Sequence, residues 1–173
     1  IDENVDCVVR VGEVTNQSLV ARHVGNLSLG VYASPGYLAQ MGTPSHPIEL
    51  KASHHRIVGF FWARSGRIFF PTMHRGNEHL VVRGNHQLVV DDGNAYVSAG
   101  LGVVQLPTYM AQPQVESGTL IPLFGEWHMD PLPIYIAFHP NRHVSAKLRV
   151  FIDWVAELIG KQHPVAYKDT LSK

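Results

Sequence analysis

The chain has 173 residues, 45% of them hydrophobic and 16% charged, a globular composition that excludes a disordered or membrane-embedded protein and suits one domain or two small lobes. Lys and Arg number 14, as do Asp and Glu, and this balance argues against a nucleic-acid clamp, which carries a basic excess. No segment approaches the roughly 18 apolar residues of a spanning helix, and none reads as a secretory signal.

The chain opens at Ile1 without Met and reads as a piece of something longer. "CVVRVG" (7–12) has the look of a strand ended by glycine, and its Cys7 reads as a small core residue. Cys7 is the one cysteine, so no internal disulfide is possible, and a cytoplasmic protein is the simpler reading. "SLVARHV" (18–24) and "LSLGVYAS" (27–34) follow as short strands. "SPGYLAQMG" (34–42) predicts a short helix with Ser34 as N-cap, Pro35 at the first helical position and Gly42 as stop. "TPSHPIEL" is a Pro-punctuated turn, and "RIVGFFW" (56–62), "RIFFP" (67–71), "LVVRG" (80–84) and "QLVVD" (87–91) are β-rich runs.

From Asp91 or Asp92 a capped helix is expected to run to about residue 100, where Gly100 or Gly102 stops it. "VVQLP" (103–107), "TLIPLF" (119–124) and "PIYIAFHP" (133–140) predict further strands. The clearest helix is "SAKLRVFIDWVAELIG" (145–160), in which Leu148, Phe151, Ile152, Val155, Leu158 and Ile159 share one face. The polar tail 161–173 is expected to fray. Strands alternating with helices make this an α/β chain.

The glycines of "AGLGVVQLP" raise the question of a phosphate cradle. A cradle needs strand, then glycines, then helix, so that free N–H groups point at the anion. Here the expected order is helix, glycines, strand, so this is a helix stop and a tight turn. Eleven histidines invite a metal. "HH" (54–55), "HRGNEH" (74–79) and "HPNRH" (139–143) fit no zinc spacing and no Cys pair supports one, so they read as surface or turn residues and no metal or other cofactor is expected. There is no G-x-S-x-G elbow, Ser34 is explained by capping, and Asp91–Asp92 reads as a cap, so no catalytic residue is expected. "FFW" puts Phe60 and Trp62 on one strand face and Phe61 on the other. Both faces are apolar, which suits a strand covered on both sides, with one face available to line a ligand cleft.

Three stretches in this order resemble the effector-binding region of LysR-type transcriptional regulators. They are "DCVVRVGEVTNQSLVARHVGNLSLGVYASPGYLAQMGTPSHPIEL", "GNHQLVVDDGNAYVSAGLGVVQLP" and "PIYIAFHPNRHVSAKLRVFIDWVAE", and together they span about residues 3 to 159. The resemblance implies a two-lobed α/β fold like that of type 2 periplasmic solute-binding proteins, with a small-molecule effector in the cleft between lobes. On this reading residues 1–30 and 120–160 form a partial lobe one, without its first strand–helix elements, and 31–119 form lobe two. The family's winged helix-turn-helix and linker helix are not in this chain, so DNA would be met only through them. The family pattern also implies a homodimer or homotetramer, no membrane partner, and Asn where this chain has Asp91.

Ligands in open α/β sheets gather at strand C-termini and helix N-termini. That singles out Gly12 and Glu13 after the first strand, Asp91, Asp92 and Gly93 at the central helix start, and Phe60 and Trp62 as apolar walls suited to an aromatic or hydrophobic effector. The alternative from the same fold is a periplasmic solute-binding protein of a transporter.

Overall fold

The computed structural model describes residues 5–51, 54–62, 67–68, 72–84, 86–90, 100–140 and 146–162. The helix expected over 91–100 lies outside them, as do Asp91, Asp92 and Gly93. The chain divides into two compact units, Ile1–Leu27 with Pro131–Lys173, and Ser28–Asp130.

The first unit is a three-stranded antiparallel sheet under one helix. Its strands are β1 (Cys7–Val11), β2 (Val20–Leu27) and β12 (Leu132–Phe138), in the order β1-β12-β2. The late strand β12 is thus the central one, with Val9 opposite Ile136 and Leu27 opposite Leu132. Helix α3 (Ala146–Gln162) lies on one face, where Val24, Ile134, Ile136 and Phe138 pack with Leu148, Ile152 and Val155. The Arg22 guanidinium meets the Asp153 carboxylate at 2.9 Å beside this contact. The apolar stripe of α3 is narrower than its sequence suggests: Phe151 is 38% and Leu158 41% exposed, and Trp154 reaches 57%. Ala146, Lys147, Val150, Phe151 and Trp154 line a shallow apolar depression on that outer side.

The second unit is built on a mixed sheet. Its strands are β3 (Leu29–Ala33), β4 (Ile57–Trp62), β5 (Arg67–Ile68), β8 (His86–Val90), β9 (Val103–Pro107) and β10 (Ile121–Leu123), in the order β10-β3-β9-β4-β5 with β8 also on β4. β4 is parallel to both β8 and β9 and the other pairs are antiparallel. Both faces are covered, as the two-sided apolar pattern requires. Val31, Ala33, Ile57 and Val103 pack on one side with Tyr37 and Leu38 of α1 (Pro35–Met41), while Tyr32, Val58, Val104 and Leu106 pack on the other with Ala111 of α2 (Thr108–Glu116).

Helix α1 forms as its sequence dictates: the Tyr37 N–H donates to Ser34 Oγ at 3.2 Å, Pro35 starts the helix, and Gly42 closes it at φ 82°. Gly100 turns at φ 60°, and a Cβ on Gly102 would stand 2.5 Å from the Arg56 carbonyl oxygen. That oxygen accepts the Val103 N–H at 2.9 Å as β9 joins β4. The glycines therefore serve a turn and a close approach ahead of a strand, which no phosphate cradle would do.

Several elements differ from expectation. α2 was not foreseen, because Pro113 sits inside it and no side chain caps its start. The strand expected at 80–84 is β7 (Glu78–Val81), the outer member of a second small sheet, β11-β6-β7, with β6 (Thr72–Arg75) and β11 (His128–Met129). Met73 is 1% exposed and turns this sheet's inner face to the core containing Trp127.

Candidate functional site

Gly12 follows β1 at φ 85°, a left-handed conformation that side chains resist, and its N–H donates to the Pro133 carbonyl at 2.8 Å. A Cβ there would meet nothing within 4 Å, so backbone conformation and not crowding selects glycine. Glu13 comes next and is exposed. The structure thus places Gly12 and Glu13 at the C-terminal end of β1, an edge strand of the antiparallel sheet.

Phe60 and Trp62 fall at the C-terminal end of β4. Phe60 pairs with Val90, the last residue of the parallel strand β8, and Trp62 pairs with Arg67 of β5. The C-terminal ends of β4 and β8 are therefore neighbours. Asp91, Asp92 and Gly93 follow Val90 in sequence and lie outside the described residues.

The buried polar residue of the second unit is His55, which is 2% exposed. The Tyr37 hydroxyl accepts the Arg56 N–H at 2.9 Å and stands 3.3 Å from His55 Nδ1. The hydroxyl oxygen keeps a second lone pair, so the His55 tautomer decides which group donates in that contact. Burial holds the His55 pKa below the usual imidazole range, His54 lowers it further, and Glu49 opposes both. Glu49 is itself held below the carboxylate range, first by the Ser45 hydroxyl at 2.7 Å and then by the His46 and Ser45 N–H groups. Burial, with Asp6 adding to it, raises the Cys7 thiol, which is the setting of an inert packing residue.

Sequence reasoning missed the grouping of histidines on the small sheet. His74 and His79 were read as separate surface or turn residues, yet they face each other across the β6–β7 hairpin. Asp130, 56 residues further on, meets His74. The only local signal was the hairpin turn at Gly76–Asn77 between two short polar strands. Among the described residues no helix is long and apolar enough to cross a membrane.

Comparison with known proteins accords with this architecture. Residues 1–160 match the family described as LysR substrate binding domain. An HTH-type transcriptional repressor of Pseudomonas aeruginosa is 30% identical over 164 residues, spanning 93% of this chain and 51% of that protein. The HTH-type transcriptional regulator CrgA of Neisseria meningitidis serogroup B is also 30% identical over 164 residues, spanning 92% of this chain and 53% of CrgA. The solved CrgA regulatory domain superposes with a TM-score of 0.73 at 28% identity, covering 90% of this chain and 76% of that one. Full-length AphB, a Vibrio cholerae virulence activator, gives 0.70 at 27% identity, covering 88% and 51%. The chain spans about half the length of the curated relatives it matches.

The fold is accordingly the α/β, type 2 periplasmic-binding-protein-like one of LysR regulatory domains. A transporter's solute-binding protein is not favoured, since the relatives are regulators of transcription. The family is likewise one of regulators and not of enzymes. The chain belongs to the LysR-type transcriptional regulators and is the effector-binding regulatory domain of that architecture.

Proposed function

We propose that this domain senses a small molecule, aromatic or otherwise hydrophobic, and relays its presence to a winged helix-turn-helix elsewhere in the protein, without any chemical step. The observation that carries the reading is the match of residues 1–160 to the LysR substrate-binding family. The effector acts by preferring one state of the domain, and it shifts the equilibrium only by its differential affinity for the two states. The setting is the cytoplasm, the assembly a homodimer or homotetramer, and DNA is contacted outside this chain. The near-zero formal charge of this part supports that division of labour.

The proposed effector contacts are Gly12 and Glu13 in the first unit, with Phe60, Trp62, Asp91, Asp92 and Gly93 in the second. The strand ends of the parallel pair β4 and β8 support Phe60 and Trp62, sequence position after β8 supports the last three, and Gly12 and Glu13 rest on their place in the turn that follows β1. A thermal-shift screen of small aromatic acids, amines and neutral compounds is the test. A ligand at 100 times its Kd raises stability by about 2.7 kcal/mol, which is readily detected. Asp91→Asn is expected to change the response to such a ligand while leaving the unliganded melting temperature nearly unchanged. Shifts that survive Asp91→Asn untouched would make Asp91 a helix cap alone. No shift with any compound, together with full-length protein whose DNA affinity ignores them all, would remove the sensing role.

A further inference from the structure

The outer face of the small β11-β6-β7 sheet carries a row of three histidines. His128 on β11 pairs in register with His74 on β6, and His74 pairs with His79 on β7. Register partners point to the same face, so the three histidines leave one face of the sheet on three adjacent strands. The opposite face carries Met73 and Met129 into the core, and by the same alternation Arg75 and Glu78 belong to that side. No cation therefore competes for the histidine face from within the sheet.

The geometry of the row is specific. The β6–β7 loop has two residues, Gly76 and Asn77, and its closing pair is Arg75 with Glu78. In such a hairpin the next pair is the non-hydrogen-bonded kind, whose side chains lie closest. That pair is His74 and His79, and their Nδ1 atoms are 2.6 Å apart. The other ring nitrogen of His74, Nε2, is 3.1 Å from the Asp130 carboxylate. An ionised carboxylate only accepts, so Nε2 carries the hydrogen, and in the neutral ring the Nδ1 lone pair of His74 lies on the side of His79.

We propose that His74 and His79, joined by His128, form a binding site for a borderline divalent transition ion such as Zn2+. Three observations converge on it. Two imidazole nitrogens stand 2.6 Å apart, and loss of the proton between them to solvent, with a small outward movement, admits an ion at about 2.0–2.1 Å from each. The Asp130–His74 hydrogen bond is the outer-shell contact that fixes a metal-bound histidine's tautomer and raises its basicity. The neighbour in the row, His128, is exposed and shares the face of the pair. Among the described residues no three such groups meet at a point as the side chains stand, so the third ligand arrives by rotation of His128. Imidazole donors suit Zn2+, Cu2+ and Ni2+ and not Mg2+ or Ca2+. An ion held there would tie β7 to β6 and β6 to β11.

The test is calorimetric titration of the chain with Zn2+ in a non-chelating buffer, beside H79Q, H128Q and D130N. H23Q, which alters an exposed histidine on β2, is the control. Expected is one tight ion per chain, unchanged in H23Q, with affinity lower by about tenfold or more in H79Q and D130N, and lower also in H128Q. Melting temperature should rise with Zn2+ in the parent and less in H79Q. Metal-free melting curves of the variants check folding, and H128Q serves should H79Q fail to fold. No stoichiometric ion, or equal loss in H23Q, overturns the proposal. So does an imidazole 15N spectrum showing only a shared proton between His74 and His79 that Zn2+ leaves unmoved.

Discussion

A protonated His55 would place a charge where the folded protein offers little solvent and one hydroxyl. Burial is the main reason its pKa is depressed, so the folded state binds this proton less readily than the unfolded chain, which takes it near pH 6.5. Stability tied to His55 is therefore fully present above about pH 6.5 and falls as the pH drops below that value, until the folded group protonates too. Glu49 contributes in a separate window, because a lowered carboxylate pKa costs stability only as pH falls below about 4.3. Urea midpoints measured from pH 8 to pH 5 should decline below 6.5, and His55→Gln should flatten that part of the curve. An equal decline in the variant would move the effect to another histidine. The identity of Gly12 is dictated locally, by a positive φ in open space, as is that of Gly42.

Helix α3 separates the residues that hold the first unit together from those that only look as though they do. Ile152 is 2% exposed against the sheet, and Ile152→Ala is expected to cost about 2–5 kcal/mol in denaturant unfolding. Trp154, on the outer side, should cost about 0.5 kcal/mol or less on truncation to Ala. Comparable losses at the two positions would mean that Trp154 is covered in solution. Which elements were legible follows from where their information resides. α1 announces itself through Ser34, Pro35 and Gly42, all local signals, and α3 through the spacing of Leu148, Ile152 and Val155. α2 has a proline inside and no side-chain cap, and it is held by Ala111 packing with Leu106, a contact that no local pattern displays. β11 is two residues long, too short for any period. Of the proposed effector contacts, Gly12 was legible through the glycine a left-handed turn demands. The histidine row was not, because it exists only once strand pairing brings His74 beside His128.

The whole molecule is a unit split in sequence and another that is continuous. β1 and β2 lie at the start of the chain, yet they are not neighbours, since β12 runs between them. Synthesis from the N-terminus completes Ser28–Asp130 before the strand that joins β1 to β2 has been made. The continuous unit, rich in nearer-neighbour pairings, is therefore expected to fold first, during synthesis, while the opening strands wait. Arrested nascent chains in which residue 130 is followed by an unstructured linker that fills the exit tunnel should show protease protection over Ser28–Asp130 and none over β1 and β2. Protection of β1 and β2 at that length would refute this order. A strand made after the continuous unit and central in its own sheet makes closure of the β1-β12-β2 sheet a report that translation has passed Phe138.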